Sequence, residues 1–448
     1  MKFVLLVTLF AAVSSIPTEL PYPDELVYKL GEEEFEDYVD KWIEFQQRKW
    51  TNTSEATTTS ARSGCTLNVR NDFSSPQPVF IHRWLNNYLA PHGNSGQVRL
   101  NSGDEIIVAC TGSGRQIRHP NIISNVAVAT ARCVNNNLVS GAGWLNGNRA
   151  FRQLTCSGHA ISEAVETNER CYGNNVVIRV GYVVNNVLYP TYWSCYDKRR
   201  FEVLYVWYAQ NPSNSVPQTG VDRPSWMAGN FFPGVNINNL YTRNRQREAI
   251  ARSVGNNMVD RYVTNHQFLS RGHLVAKSDQ VFATGQRATF YFVNAGPQWQ
   301  PFNGGNWNSL ELNLRDRIAR AGYHTTIYTG TFGVTQLRNS AGHYVDLFLD
   351  NTGNNRRVPV PQYFYKVAYD ANRRIGTAFI GINNPYYSLA EARALQFCTD
   401  RCRNNNAFSW LRWQPDRVDL GYSFCCTIAD FRRRVPHLPA FTVNGLLS

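Results

Sequence analysis

The chain has 448 residues, with 45 Lys and Arg against 33 Asp and Glu, a formal net charge of +12, and 10 cysteines. That length supports two or more domains with full-sized cores. No apolar run approaches the ~20 residues that cross a bilayer, which excludes a membrane-spanning helix, and no segment repeats at a period of about 20–50 residues, which excludes a solenoid.

Lys2 precedes an apolar run to Val13 and then Ser14-Ser15. A short basic start, an apolar stretch and small residues after it form a secretory signal peptide over 1–16. The protein is therefore expected to be secreted and extracellular, with no membrane partner. Residues 17–62 read as an acidic pro-segment. Between Glu32 and Glu44, Phe35, Tyr38, Val39, Trp42 and Ile43 fall on one helical face with acids around the rest. A Thr/Ser-rich linker, 51–60, leads to Arg62, the expected site for a processing protease. The chain's single Asn-x-Ser/Thr sequon starts at Asn52 in the same linker. The pro-segment holds eleven acids and five bases, which leaves residues 63–448 at +17. A surface that basic expects a polyanion.

Residues 63–198 read as a disulfide-rich all-β domain. Short apolar runs at 97–100, 105–109, 126–129, 176–180 and 182–184 are broken by Asn-Gly, Gly-Ser and Asn-Asn. Six cysteines (Cys65, Cys110, Cys133, Cys156, Cys171, Cys195) precede the central region and four (Cys398, Cys402, Cys425, Cys426) follow it. Even numbers on each side predict three bridges before and two after, in an oxidising compartment. Zinc would need tighter Cys pairs than Cys398-x-x-x-Cys402. His82, His92, His119 and His159 lack partners at ligand spacing and read as ordinary histidines.

Residues 199–448 read as an α+β domain, a central sheet with flanking helices. Strands are expected at 201–208, 288–293, 324–329, 344–349, 364–369 and 378–382, and helices at 248–253, 389–399 and 427–434. A further helix is predicted from Trp307, Leu310, Leu314, Ile318 and Ala321, which share one face, with Gly322 as its stop. The centre of this region carries Ser270-Arg271-Gly272-His273, then Asn294-Ala-Gly-Pro-Gln298, then Asn303, and Glu311 eight residues on.

That series, with Thr242-Arg243-Asn244 upstream, resembles the DNA/RNA non-specific endonucleases, the ββα-metal nucleases. The likeness runs from roughly Phe201 to Leu438, and Ser270 stands where the motif has Asp. It points toward secreted animal digestive nucleases, including insect gut enzymes that degrade double-stranded RNA, and so to the gut lumen as a location. It implies His273 as general base, since imidazole titrates near ~6.5 and accepts a proton at neutral pH. It implies Asn303 as ligand to Mg²⁺ (or Mn²⁺), Glu311 as holder of a metal-bound water, and Arg243 as the phosphate clamp. Arg271 joins the catalytic group, and Asn294 and Gln298 are substrate-binding supports. The expected activity is metal-dependent hydrolysis of RNA and DNA with little sequence preference, giving 5′-phosphate ends. Singly, each residue has a plainer reading as a turn former, a helix-cap acid or surface charge. The alternatives are a catalytically weak secreted nucleic-acid binder and a secreted structural protein.

Overall fold

The computed structural model describes residues 20, 21, 23, 26, 27, 29–51 and 64–448. The signal peptide, the sequon and Arg62 lie outside the described residues.

Antiparallel strands form along runs rich in β-branched and aromatic residues. In chain order they are β1 (Glu163–Cys171), β2 (Asn175–Val184), β3 (Val187–Asp197) and β4 (Glu202–Gln210). Next come β5 (Leu269–His273), β6 (Ala295–Trp299), β7 (Thr325–Phe332), β8 (Tyr363–Asp370), β9 (Ile375–Ile382) and β10 (Ser423–Cys426). Eight of them make one sheet in the order β1-β2-β3-β4-β7-β8-β9-β10, and β5 and β6 pair separately. Every neighbouring pair in the large sheet is antiparallel. Asn185 and Asn186 both hold positive φ (50° and 63°) at the β2–β3 turn, the backbone that matches a two-residue hairpin to strand twist. Along β8, Phe364 and Ala368 enter one core while Tyr363, Tyr365 and Val367 enter the other. This is the two-residue period of a strand buried on both sides.

The N-terminal part has a smaller six-stranded sheet within 79–150 and its own core, including Leu67, Phe80, Val108 and Phe151. The large sheet runs straight through residue 198, where the sequence pattern divides the chain. Strands β1–β3 belong to the same sheet as the strands after residue 198, and Trp193 of β3 stands opposite Trp207 of β4. Both sides of 198 alternate apolar residues in the same way, so no change of composition marks the point.

All ten cysteines are paired: 65–133, 110–156, 171–195, 398–426 and 402–425. Adjacent Cys425 and Cys426 point into opposite cores, so each finds a different partner. Asp400, Cys402 and Cys425 form the one group of His, Cys, Asp or Glu at ligand spacing among the described residues. Its two cysteines are a disulfide, and Asp400 Oδ1 accepts from the backbone N–H of Cys402 and Cys425.

Three helices position the site: α1 (Glu32–Thr51), α2 (Arg243–Val254) and α3 (Asn308–Ala321). Helix α2 begins earlier than the expected 248–253 segment, with Thr242 at its N-cap, and stops at Gly255 with φ 100°. Helix α3 ends as predicted at Gly322, in the left-handed region (φ 65°, ψ 35°). Helix α1 lies against the body of the chain: Phe35 and the preceding Val27 bury on Leu420. No helix among the described residues is long and apolar enough to cross a membrane.

Three further expected elements differ. The 288–293 strand is instead the end of a short helix (Ala283–Ala288) and a 3-10 turn (Phe292–Asn294), and the strand is β6. Its residues are all buried rather than alternately exposed, and buried apolar runs do not distinguish strand from turn. The 389–399 helix stops at Ala394 after a Ser388–Glu391 capping box. The 344–349 strand divides into Tyr344–Asp346 and Phe348–Asp350.

Candidate active site

The antiparallel pair of β5 and β6 is built for close approach. Gly272 stands opposite Gly296, and a Cβ on Gly272 would fall 2.3 Å from Gln298 Oε1. Gln298 is fully buried and fills that space. Ser270 is 2% exposed and its Oγ donates to the Gln298 carbonyl at 3.0 Å. Where the motif has a carboxylate, this chain thus keeps a neutral group in a dry position, avoiding the cost of burying an unpaired charge. Asn294 is also fully buried. Its Oδ1 accepts from Val275 N (2.8 Å), and its Nδ2 donates to the carbonyls of Val275 (3.1 Å) and Thr289 (2.8 Å). These bonds tie the chain leaving His273 to the turn entering β6, and they fold residues 289–294 away from a strand.

His273 ends β5 with its ring between Trp226 (centroids 4.6 Å apart) and Phe290 (4.9 Å, edge-on). Nε2 is buried with no hydrogen-bond partner among the described residues. Burial, with the nearby cations Arg223 and Lys277, pushes its pKa down to about 3. A neutral imidazole carries an unprotonated ring nitrogen, the form a general base requires.

After Trp299 the chain makes one helical turn (Gln300–Phe302), then a π-turn over Asn303–Trp307, with Gly305 non-helical (φ −92°, ψ −116°). A Cβ on Gly305 would meet Leu420 Cβ at 2.9 Å. The π-turn carries the chain from Asn303 into the helix predicted from Trp307; such turns recur at functional sites. Glu311 then sits in the first turn of α3. Its Oε1 is buried and unpaired among the described residues. Burial raises its pKa to about 8, with Asp279 adding to the rise and Lys366 and Arg315 opposing it.

Beneath Glu311 lies a buried charged floor drawn from several elements. Asp279 accepts from Tyr208 (2.6 Å), Gln210 (2.9 Å) and Arg315 (3.0 Å). Lys366 Nζ stands 3.7 Å from Asp279 and donates to Tyr208 (3.0 Å) and Thr329 (3.1 Å). Asp279 and Lys366 are each 1% exposed.

One cleft is shared by His273, Asn303 and Glu311, together with Arg223, Lys277, Gln300 and Asn308; Phe35, Val39 and Asp40 of α1 form one of its walls. Three of the expected residues therefore meet. Arg243 does not line the cleft: its guanidinium lies 3.6 Å above the Phe268 ring and donates to the Thr264 carbonyl. Arg271 lies over the rings of Tyr241 (5.3 Å) and Phe292 (5.7 Å), also outside it. Asn294 and Gln298 sit behind it and hold backbone and packing instead of facing substrate. Lys277 is missed by the motif, although it follows His273 by four residues. Arg223 comes from a loop fifty residues upstream that carries no signal.

The polar lining fits a hard cation. Glu311 Oε1 and Gln300 Oε1 are buried without partners among the described residues, as is Asn308 Nδ2, and Asn303 lies beside them. Uncompensated buried oxygens are costly, and carboxylate and amide oxygens are the ligands that Mg²⁺ and Mn²⁺ accept.

The chain is similar to several known proteins. The family model described as DNA/RNA non-specific endonuclease matches residues 174–431. A salivary endonuclease of Lutzomyia longipalpis is 24% identical over 338 residues, 75% of this chain and 74% of that protein. Salivary protein Tsal2A of Glossina morsitans morsitans is 24% identical over 393 residues, 86% of this chain and 94% of its own. A chain of the solved EndoG/EndoGI complex, 18% identical, aligns over 57% of this chain and 87% of its own with a TM-score of 0.35. The family match spans more than half the sequence and takes in every motif residue from Arg243 to Glu311, and the chain belongs to the DNA/RNA non-specific endonuclease family.

Proposed function

We propose that this protein is a secreted, divalent-metal-dependent endonuclease that hydrolyses RNA, including double-stranded RNA, and DNA with little sequence preference, leaving 5′-phosphate ends. The observation that carries the reading is the shared cleft. An unpaired, neutral His273 nitrogen faces the same space as the unpaired oxygens of Glu311 and Gln300 and the side chain of Asn303. His273 accepts the proton of the attacking water. Trp226 and Phe290 hold the ring and keep bulk water from its edge. Asn303 would hold Mg²⁺ or Mn²⁺, with Glu311 and Gln300 orienting its water ligands. A cation held there would supply Lewis acidity for phosphodiester cleavage. Backbone-directed cations position nucleic acid without reading bases, which favours low sequence preference.

Secretion is supported by the signal-peptide pattern over 1–16, by five disulfides and by the salivary names of the relatives. A protease cutting after Arg62 would release the pro-segment.

The test is a gel assay of the secreted protein on plasmid DNA and long double-stranded RNA, with Mg²⁺ or with EDTA. Cleavage of both in Mg²⁺, none in EDTA, and products that accept label only after phosphatase treatment are expected. Cleavage that persists in EDTA, or 3′-phosphate ends, would overturn the reading.

A further inference from the structure

The cleft already holds an anion, and it comes from the chain's own acidic segment. Lys277 is only 7% exposed, an unusual state for lysine unless it is paired. Its partner is Asp40 of α1, with Oδ2 2.6 Å from Nζ across 237 residues of sequence. The two stand in the same cleft as His273, Asn303 and Glu311. Apolar contacts hold α1 in that place. Phe35 and Val27 sit on Gly304 so closely that a Cβ there would fall 2.5 Å from Val27 and 3.0 Å from Phe35. Val39, one turn after Phe35, packs against the same cluster and lines the cleft. The helix thus seats an apolar face on the π-turn that carries Asn303, and from that seat projects one carboxylate onto one buried lysine.

Arg223 lines the same cleft, and with Lys277 it sets positive charge beside His273, so a cleft without α1 exchanges the Asp40 carboxylate for an open cationic wall that suits an anion. We propose that Lys277 is a phosphodiester-holding residue of the active site, and that Asp40 occupies the phosphate's place and keeps the cleft shut while the pro-segment remains attached. This deepens the nuclease reading and rests on it: the anion that replaces Asp40 is a backbone phosphate of the nucleic-acid substrate. The tether gives Asp40 an effective concentration on the order of millimolar, which a dilute substrate must overcome until the segment is removed.

The test uses the full chain carrying Arg62→Gln to keep the segment attached. Binding of a fluorescent 12-mer RNA is measured in EDTA, where no metal chemistry intervenes. Asp40→Asn should tighten binding about 10-fold or more, the range of a charge-assisted hydrogen bond. Asp37→Asn removes the same charge from an exposed position of the same helix and should change affinity less than about 2-fold. In the Asp40→Asn background, Lys277→Gln should cancel the gain and Lys277→Arg should retain it, with melting temperatures confirming that each variant folds. In Mg²⁺ the same changes should appear as a raised KM for Lys277→Gln with little change in kcat.

Equal affinities for Asp40→Asn and its parent, or a gain that survives Lys277→Gln, would overturn the proposal even if every variant cleaves RNA. If binding follows the expected order but no variant cleaves with Mg²⁺ or Mn²⁺, the anion site stands and the catalytic reading fails.

Discussion

Glu311 offers a measurement that does not depend on turnover. Without a cation, burial holds its carboxyl at about 8 against an ordinary 4.5. Between those values the folded chain keeps a proton that the unfolded chain has released. Stability therefore falls as pH rises through this window, by up to ~1.36 kcal/mol per unit. From pH 5 to pH 8 the loss amounts to about 4 kcal/mol. Glu311→Gln keeps the shape and removes the titration, so the difference in Tm between wild type and variant isolates this group. His273 contributes equally to both chains and cancels. In EDTA the variant should gain on wild type by roughly 8 °C between pH 5 and pH 8, taking about 2 °C per kcal/mol for a large domain. Mg²⁺ should reverse the trend in wild type, because a bound cation favours the ionised carboxylate: the metal-induced rise in Tm should grow with pH, and should lose that growth in Glu311→Gln. Scanning fluorimetry at four pH values with EDTA or Mg²⁺ suffices. Parallel curves for the two proteins in EDTA would refute both the buried, protonated carboxyl and its release by a cation.

His273→Ala should fold, bind RNA in EDTA as wild type does and lose cleavage by about 10²–10⁴-fold; near-normal turnover would remove it as the base. Because burial and cations hold its pKa down to about 3, the imidazole stays neutral far below its usual range. At saturating cation, kcat/KM should accordingly show no half-loss near pH 6.5, and an inflection there would contradict the geometry around its ring. Asp279→Asn strips the carboxylate from buried Arg315 and Lys366 and should cost about 3–5 kcal/mol of stability by denaturant unfolding, with an unchanged midpoint counting against a charged floor. Asn294→Ala deletes three buried hydrogen bonds and should cost about 2–4 kcal/mol; undiminished stability with lost activity would instead make Asn294 a substrate contact.

The sequence discloses the parts of the site that are local. Gly322 stops α3 because only a left-handed residue ends the helix there, and Leu310, Leu314 and Ile318 share its buried face. Gly272 before His273 marks a strand with no room for a side chain, since Gln298 from the partner strand fills the space. What pattern does not disclose is long-range. Residues 288–293 read as a strand because they are apolar, yet Asn294 bonds both Thr289 and Val275 and turns them. The π-turn at Gly305 is shaped by Leu420, more than a hundred residues on. The N-terminal strands join the large sheet through a hairpin at 197–202 that looks like a domain boundary on paper. Lys277 and Arg223 acquire their meaning only when the cleft closes around His273. Arg243 shows the converse, a motif residue at the expected position whose side chain stacks on Phe268 outside the cleft.

The charges around the cleft form one arrangement. Arg315 and Lys366 outnumber Asp279 in the floor, and Glu311, protonated below about 8, does not restore the balance at neutral pH. Arg223 and Lys277 add positive charge on the His273 side. A dry site with surplus cations favours whatever anion can enter, and it depresses the histidine that must remain neutral. The same surplus would repel a divalent cation unless Glu311 ionises as that cation arrives, which makes the titration of Glu311 part of assembling the site. It also suits an acidic helix at the mouth, where Asp40 brings a carboxylate to Lys277 and offsets part of that positive charge.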